Sequence, residues 1–178
     1  MRTKRILTEN GLRKMTPIMR IPSEADWGNY KDDLDQEYGH QVFFGKNAEE
    51  TTPLFERNVI ERAEELQFMP VTPFRYYILA FRNYVMSEEA LKNDMAPDAA
   101  SCFLNLVELK LRDDANSIAP VMSELIAAIE HVVAHQALFE ADVDIYGDFS
   151  EKLLEIRRLM RACECCGELC EPQRLGGE

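Results

Sequence analysis

Apolar side chains recur along this chain every three or four positions, the repeat that gathers them on one side of an α-helix. Trp27, Tyr30, Leu34, Tyr38 and Val42 keep that spacing from Pro22-Ser23 until Gly45, which predicts a first helix over about 24–44 with Gly39 as its weak point. Ser23 followed three places later by Asp26 approximates a capping box at its start. The pairs Asn47 with Glu50 and Asn58 with Glu61 open two shorter helices, one through Leu54-Phe55 and one through Ile60, Ala63 and Leu66.

Thr72-Pro73 reads as an N-cap followed by proline at the first helical position. The helix it opens, through about Met86, sets Phe74, Tyr77, Ile78, Phe81 and Val85 on one side while Leu79, Ala80 and Tyr84 cover much of the rest. A helix that is apolar nearly all round belongs at the centre of a fold. Pro97 and Asp98 precede a stretch whose face carries Cys102, Phe103, Leu106, Val107 and Lys110, ending at Asp113-Asp114. Asn116-Ser117 caps what should be the longest helix, with the stripe Ile118, Val121, Met122, Leu125, Ile129, Val132 and Val133. Asp148 with Glu151 caps the last, along which Phe149, Leu153, Ile156 and Met160 repeat. No segment alternates with period two between turn signals. The expected fold is all-α, an irregular bundle or array of about six or seven helices. It divides into a basic arm over 1–21, a single helical domain over 22–162, and a Cys/Gly-rich tail over 163–178.

The stretch Phe68-Met69-Pro70 and Thr72-Pro73-Phe74-Arg75-Tyr76-Tyr77-Ile78-Leu79-Ala80-Phe81 resembles a family of uncharacterised bacterial helical domains with a Phe-Arg-Tyr-Tyr-Leu-Pro-Ala tract after a short aromatic helix. Leu79 stands where that tract has proline, and the resemblance spans about residues 27–140. It implies a bacterial, helical protein and brings no activity, substrate or catalytic residue with it.

Composition narrows the partners. A chain of 178 residues, 46% hydrophobic and 29% charged, suits one folded domain with a core large enough to need no staples. Its formal charge of −12 would repel phosphate backbones, so nucleic acid is not an expected partner. A basic protein would be drawn to the same field. Arg2, Lys4, Arg5, Arg13, Lys14 and Arg20 against Glu9 give the arm the opposite sign. No apolar run is expected to approach the ~20 residues a membrane span needs, and no signal peptide follows the basic start, so no membrane is expected. The clustering of four of five cysteines between Cys163 and Cys170 suits a reducing, cytoplasmic setting better than a secreted disulfide framework.

Four constellations could carry chemistry. Cys163, Cys165, Cys166 and Cys170 offer thiolates for zinc, with Cys163 and Cys166 at C-x-x-C spacing, although no second knuckle follows across a loop; otherwise no cofactor is expected. A tail with free thiols is the bland reading of the same residues. His131 and His135 stand four apart on one helix, without the glutamate that a metalloprotease would place between them, and read as surface residues. Asp142 to Ser150 echoes a calcium loop but has Tyr146 at position five and Leu153 at position twelve, so a capped turn is expected. Arg75, Tyr76 and Arg82 on the central helix form a candidate binding group, weighed against ion pairing with the acidic run Asp32-Asp33, Asp35 and Glu37. No catalytic set emerges. The expectation is a non-enzymatic, acidic protein-protein interaction protein of inhibitor, adaptor or immunity type, the alternative being a metal- or thiol-dependent protein acting through the C-terminal cysteines.

Overall fold

A computed structural model of the protein describes residues 20–168, with side chains through Cys163. Among the described residues two 3-10 turns, Glu24–Trp27 and Tyr30–Asp32, lead into nine α-helices: α1 Leu34–Phe43, α2 Ala48–Arg57, α3 Val59–Phe68, α4 Val71–Val85, α5 Glu88–Lys92, α6 Ala96–Asp113, α7 Ala115–Ala134, α8 Val143–Tyr146 and α9 Phe149–Glu168. No strand occurs among the described residues. The all-α class stands, and the count exceeds the expected six or seven. The additions are α5 and α8, of five and four residues, too short to show a helical repeat in sequence.

Helix α4 occupies the centre that its composition predicts. Phe74, Tyr77, Ile78, Ala80, Phe81, Tyr84 and Val85 are all buried, and α2, α3, α5, α6 and α7 pack around it. Phe81 stacks on Phe55 of α2 with ring centroids 4.8 Å apart and meets Phe103 of α6 edge-on at 5.5 Å. Such aromatic pairs add to the area they bury. The Tyr77 hydroxyl lies inside this core and donates to the carbonyls of Phe43 at 2.6 Å and Lys46 at 3.1 Å, tying the end of α1 to the centre.

The start of the domain departs from expectation. One continuous helix over 24–44 is replaced by two 3-10 turns and α1, because Gly28 turns the chain at φ +58°, a conformation glycine adopts without strain. Trp27 and Tyr30 reach the core from those turns, whereas Leu34 (82% exposed) and Tyr38 (51%) face solvent. The inward side of α1 is Gly39 and Phe43 instead. His40 is sandwiched between the rings of Tyr30 at 3.9 Å and Phe44 at 4.4 Å, and its Nε2 lies 2.9 Å from Glu24, so the turns are clasped onto α1.

Capping signals fare better. Asn47 and Glu50 form the reciprocal box at α2, and Asn58 accepts from the Glu61 N–H at α3. Helix α4 begins at Val71, however, so Thr72 and Pro73 lie inside its first turn. Helix α7 begins at Ala115 rather than after Asn116-Ser117, and it narrows to a 3-10 turn over Ala119–Val121, where Pro120 supplies no N–H. At 20 residues α7 equals α9 in length. It is also long and apolar enough to cross a membrane by length and composition, contrary to the expectation that no such run exists. In this fold Ile118, Leu125, Ile129 and Val132 are buried in the core, and its Glu124 and Glu130 pair with Arg82 and Arg157.

The chain reverses between α7 and α9 around one amide. Gln136 Nε2 donates to the carbonyls of Ala141 (3.1 Å) and Gly147 (2.8 Å), while its Oε1 accepts from the Phe149 N–H at 3.0 Å. The calcium-like segment is thus a single helical turn, α8, capped by the Asp142 side chain on the Asp144 N–H.

Gly39 sits where α1 crosses α3. A Cβ built there would stand 3.7 Å from the Glu65 carbonyl oxygen and 3.8 Å from Met69 Cε, ordinary contact distances. Gly39→Ala should therefore stabilise the protein by about 0.5–1 kcal/mol, the helix-propensity difference, seen as a higher urea midpoint. A lower midpoint would show that the two helices have no room for a methyl group.

Candidate functional site

Helices α1 and α3 leave a groove of about 130 Å³ between them, lined by Asp35, Tyr38, Glu61, Glu64, Glu65 and Phe68. Both helices are short and amphipathic. Their close approach at Gly39 brings acids from the two elements to one surface. Tyr38 and Phe68 (43% exposed) contribute large rings that are not covered by the core.

Glu65 is the unusual member. It is 6% exposed, on the side of α3 that also buries Val59, Ala63 and Leu66. The equally buried Arg62 donates through Nη2 to Glu65 Oε1 at 2.7 Å and to Glu61 Oε2 at 2.9 Å. Glu65 Oε2 and Arg62 Nε are buried and have no hydrogen-bond partner among the described residues. Burial pushes the Glu65 carboxyl up to about 7; Arg62 draws it back down, and Glu61 and Glu64 add to the rise. Desolvation outweighs the pair here because one oxygen of the carboxylate receives no donor at all.

The residues singled out in sequence are placed differently. Arg75 Nε and Nη2 donate to the carbonyls of Ser117 and Asn116, each at 2.8 Å. The Asn116 carbonyl would take its helical bond from the N–H four residues on, and that residue is Pro120, which has none. Arg75 therefore fills a gap in the helix ladder of α7. Arg82 contacts Glu124, at 3.3 Å to its carbonyl and 3.6 Å to its carboxylate, and donates to Asn83. Neither arginine reaches the expected acids Asp32, Asp33, Asp35 or Glu37 in the structure's hydrogen bonds and ion pairs among described residues. Tyr76 is half-buried, edge-on to Tyr77 at 5.0 Å, and burial raises its hydroxyl above the ordinary tyrosine value. Both arginines tie α4 to α7.

His131 and His135 have rings 4.3 Å apart, with His135 Nδ1 2.7 Å from the His131 carbonyl oxygen. Burial, then the neighbouring His135, lowers the His131 value. Among the described residues no three His, Cys, Asp or Glu side chains are arranged to hold a metal ion. Cys163 packs against the core beside Met160, on a helix that continues to Glu168. The side chains of Cys165 and Cys166, and all of Cys170, lie outside the described residues.

A larger open groove of about 360 Å³ lies between α3, α6 and α9, where Glu108 binds Arg112 and lies 3.7 Å from Lys152, and Glu64 lines this groove as well as the α1–α3 one. The Cys102 thiol there is pushed up to about 11 by burial, which keeps it protonated and a poor nucleophile at neutral pH. Lys110, buried over the Phe74 ring at 4.6 Å and 3.4 Å from Asp114, is likewise held within the packing. The α1–α3 groove alone combines uncompensated charge with exposed rings among these candidates. Sequence reading missed it because Tyr38 was assigned to the core. The available signal was Arg62 and Glu65, charged residues falling on the apolar side of α3.

No family model, curated protein or solved structure matches this chain.

Two measurements test these assignments. For Glu65, the native state holds a proton that the unfolded chain releases above about 4.5, so stability is greatest at low pH and is lost as pH rises through about 7. Urea unfolding should show a decline of about 2 kcal/mol from pH 5 to pH 8 that is absent in Glu65→Gln; equal pH dependence in both would refute the buried-carboxylate assignment. For Arg75, substitution by Ala should cost about 2 kcal/mol through lost charge-assisted hydrogen bonds and an orphaned carbonyl. In a Pro120→Ala background, where an N–H is restored, the loss should shrink by about 1 kcal/mol. Strict additivity of the two changes would break the proposed link.

Proposed function

We propose that this protein is a non-enzymatic interaction protein that binds a basic protein partner through the acidic face built by α1 and α3. The observation that carries the reading is the groove itself: four carboxylate residues, Asp35, Glu61, Glu64 and Glu65, share a surface with the exposed rings of Tyr38 and Phe68. Uncovered apolar side chains rimmed by charge are what a docking patch presents, the rings offering contact area and the acids selecting the sign of the partner. The chain's formal charge of −12 extends the same preference to long range, where it speeds encounter with a cationic surface.

The remaining candidates support this assignment by what they do. Arg75 and Arg82 join α4 to α7, Lys110 of α6 lies over the Phe74 ring of α4, and burial raises the Cys102 thiol so that it stays protonated at neutral pH. The aromatic tract that resembles the bacterial helical domains falls on α4, where Phe74, Tyr77 and Phe81 are core residues. That resemblance accordingly speaks to a shared fold and to a bacterial setting, in which an inhibitor, adaptor or immunity role fits an acidic, compact binder acting in the cytoplasm.

Capture experiments with the whole chain as bait in host extract, at low and high salt, test the proposal against a triple variant Asp35→Asn, Glu61→Gln, Glu64→Gln. A basic protein should be retained by the native chain, released by salt, and held about tenfold less by the variant, since exposed charge pairs contribute up to ~1 kcal/mol each. Recovery of no partner at either salt, or retention indifferent to the three substitutions, would reject it.

A further inference from the structure

We propose that the groove between α3 and α6 binds a small amphipathic carboxylate, its apolar chain laid on Ile60, Ala63, Leu106 and Leu109 and its head held by Lys152 and Arg112. The inference goes beyond the interaction reading above and does not rest on it. The groove measures about 360 Å³, within the ~300–1,000 Å³ of clefts that take small molecules. Its floor is apolar: Ala63 and Leu106 are buried, Leu109 is half-buried, and Ile60 is 43% exposed. A chain seated there would leave water together with the uncovered part of Ile60, and that transfer favours binding.

The sign of the head group follows from how the charges are shared. Lys152 reaches the groove from α9, and the Tyr146 hydroxyl, just ahead of that helix, fastens the connection to α6 by donating to Asp98 at 3.1 Å. At this end one carboxylate serves two cations. Arg112 engages Glu108 Oε1 through Nη2 alone, and Lys152 Nζ stands 3.7 Å from Glu108 Oε2, beyond hydrogen-bond length. The Lys152 side chain is only 25% exposed, yet its Nζ has no hydrogen-bond acceptor among the described residues. Glu155, whose field also reaches Arg112, is taken up through both oxygens by Arg158 at 2.7 Å. The end is therefore left cationic on a chain of formal charge −12, and a carboxylate can accept from both donors.

The remaining acid of the groove, Glu64, belongs to the opposite end. Its charge acts on the Cys102 thiol, and Cys102 precedes Arg112 by ten positions on α6, ~15 Å along the axis at ~1.5 Å per residue. A carboxylate at Lys152 is separated from Glu64 by more than the ~8 Å over which salt screens exposed charges. An ammonium head at the same place would face two cations instead.

The test titrates the full chain at neutral pH with sodium octanoate by calorimetry, with octanol and octylammonium chloride as uncharged and cationic counterparts. One octanoate should bind per chain, octanol should bind about tenfold less tightly, as the loss of charge-assisted hydrogen bonds implies, and octylammonium should show no saturable binding. Lys152→Met keeps an apolar stem and removes the charge, and it should bring octanoate down to the affinity of octanol. Ile60→Asp, at an exposed position in the first turn of α3, should weaken octanoate and octanol alike by severalfold. Both positions lie outside the buried core, which keeps either variant folded. Absence of octanoate binding overturns the site, as does uptake of several weakly held molecules per chain or binding indifferent to both substitutions. Binding that Ile60→Asp weakens and Lys152→Met does not overturns the placement of the head group, and tighter binding of octylammonium overturns its sign.

Discussion

Burial of α4 over most of its circumference is the constraint on which the rest of the structure depends. A single helix whose apolar residues cover most of its circumference can be satisfied only by a surrounding shell, and α2, α3, α5, α6 and α7 supply it. Each shell helix also turns its own apolar side inward, with Phe55 on α2, Leu66 on α3, Phe103 and Val107 on α6 and Leu125 and Ile129 on α7 all buried, and leaves its polar side to solvent. The acidic exterior follows from this division between inner and outer faces, while at the centre Tyr77, Phe43, Phe55, Phe81 and Phe103 form a connected set of rings.

Charged groups at the joints between helices have a second role. Arg75 completes the hydrogen bonding of α7 where Pro120 interrupts it, and Lys110 lies beneath Asp114 at the end of α6. Each is buried or half-buried and has a partner, Arg75 at 2.8 Å from two carbonyls and Lys110 at a longer 3.4 Å from Asp114. Arg62 and Glu65 differ in that their pairing leaves one atom on each side unsatisfied. Native structures usually avoid such omissions, and where they persist they point to a strain reservoir or a bound group. The Trp27 indole N–H and the Tyr84 hydroxyl are likewise buried without a partner among the described residues, so the α1–α3 groove is read as functional on its acids and exposed rings together rather than on an unsatisfied atom.

Much of the fold was legible in the sequence. The long helices α4, α6, α7 and α9 carry enough turns for their apolar repeat to be read, and the capping pair Asn47 and Glu50 marked α2 correctly. The first helix failed for an identifiable reason: Trp27, Tyr30, Leu34 and Tyr38 keep helical spacing across Gly28, but spacing says nothing of direction once the backbone turns there. The proline at position 120 was visible within an apolar run, yet its partner Arg75 lies 41 residues earlier along the chain, from Asn116, and only tertiary structure brings them together. The groove was illegible for the same reason. Its two walls are separate helices, and its key residue, Glu65, is a charge in a core-facing position that a polarity pattern counts as surface.

The reversal after α7 has one more implication. All three polar bonds of Gln136 go to backbone groups of the connection and of the first residue of α9, so a lone carboxamide acts as the hinge pin that orients the C-terminal helix. Residues Val143 to Ile145 bulge outward from that pin and are exposed. Evolution could lengthen or recolour this outer bulge freely, since no core contact passes through it, while the glutamine beneath would keep the final helix docked in the same orientation.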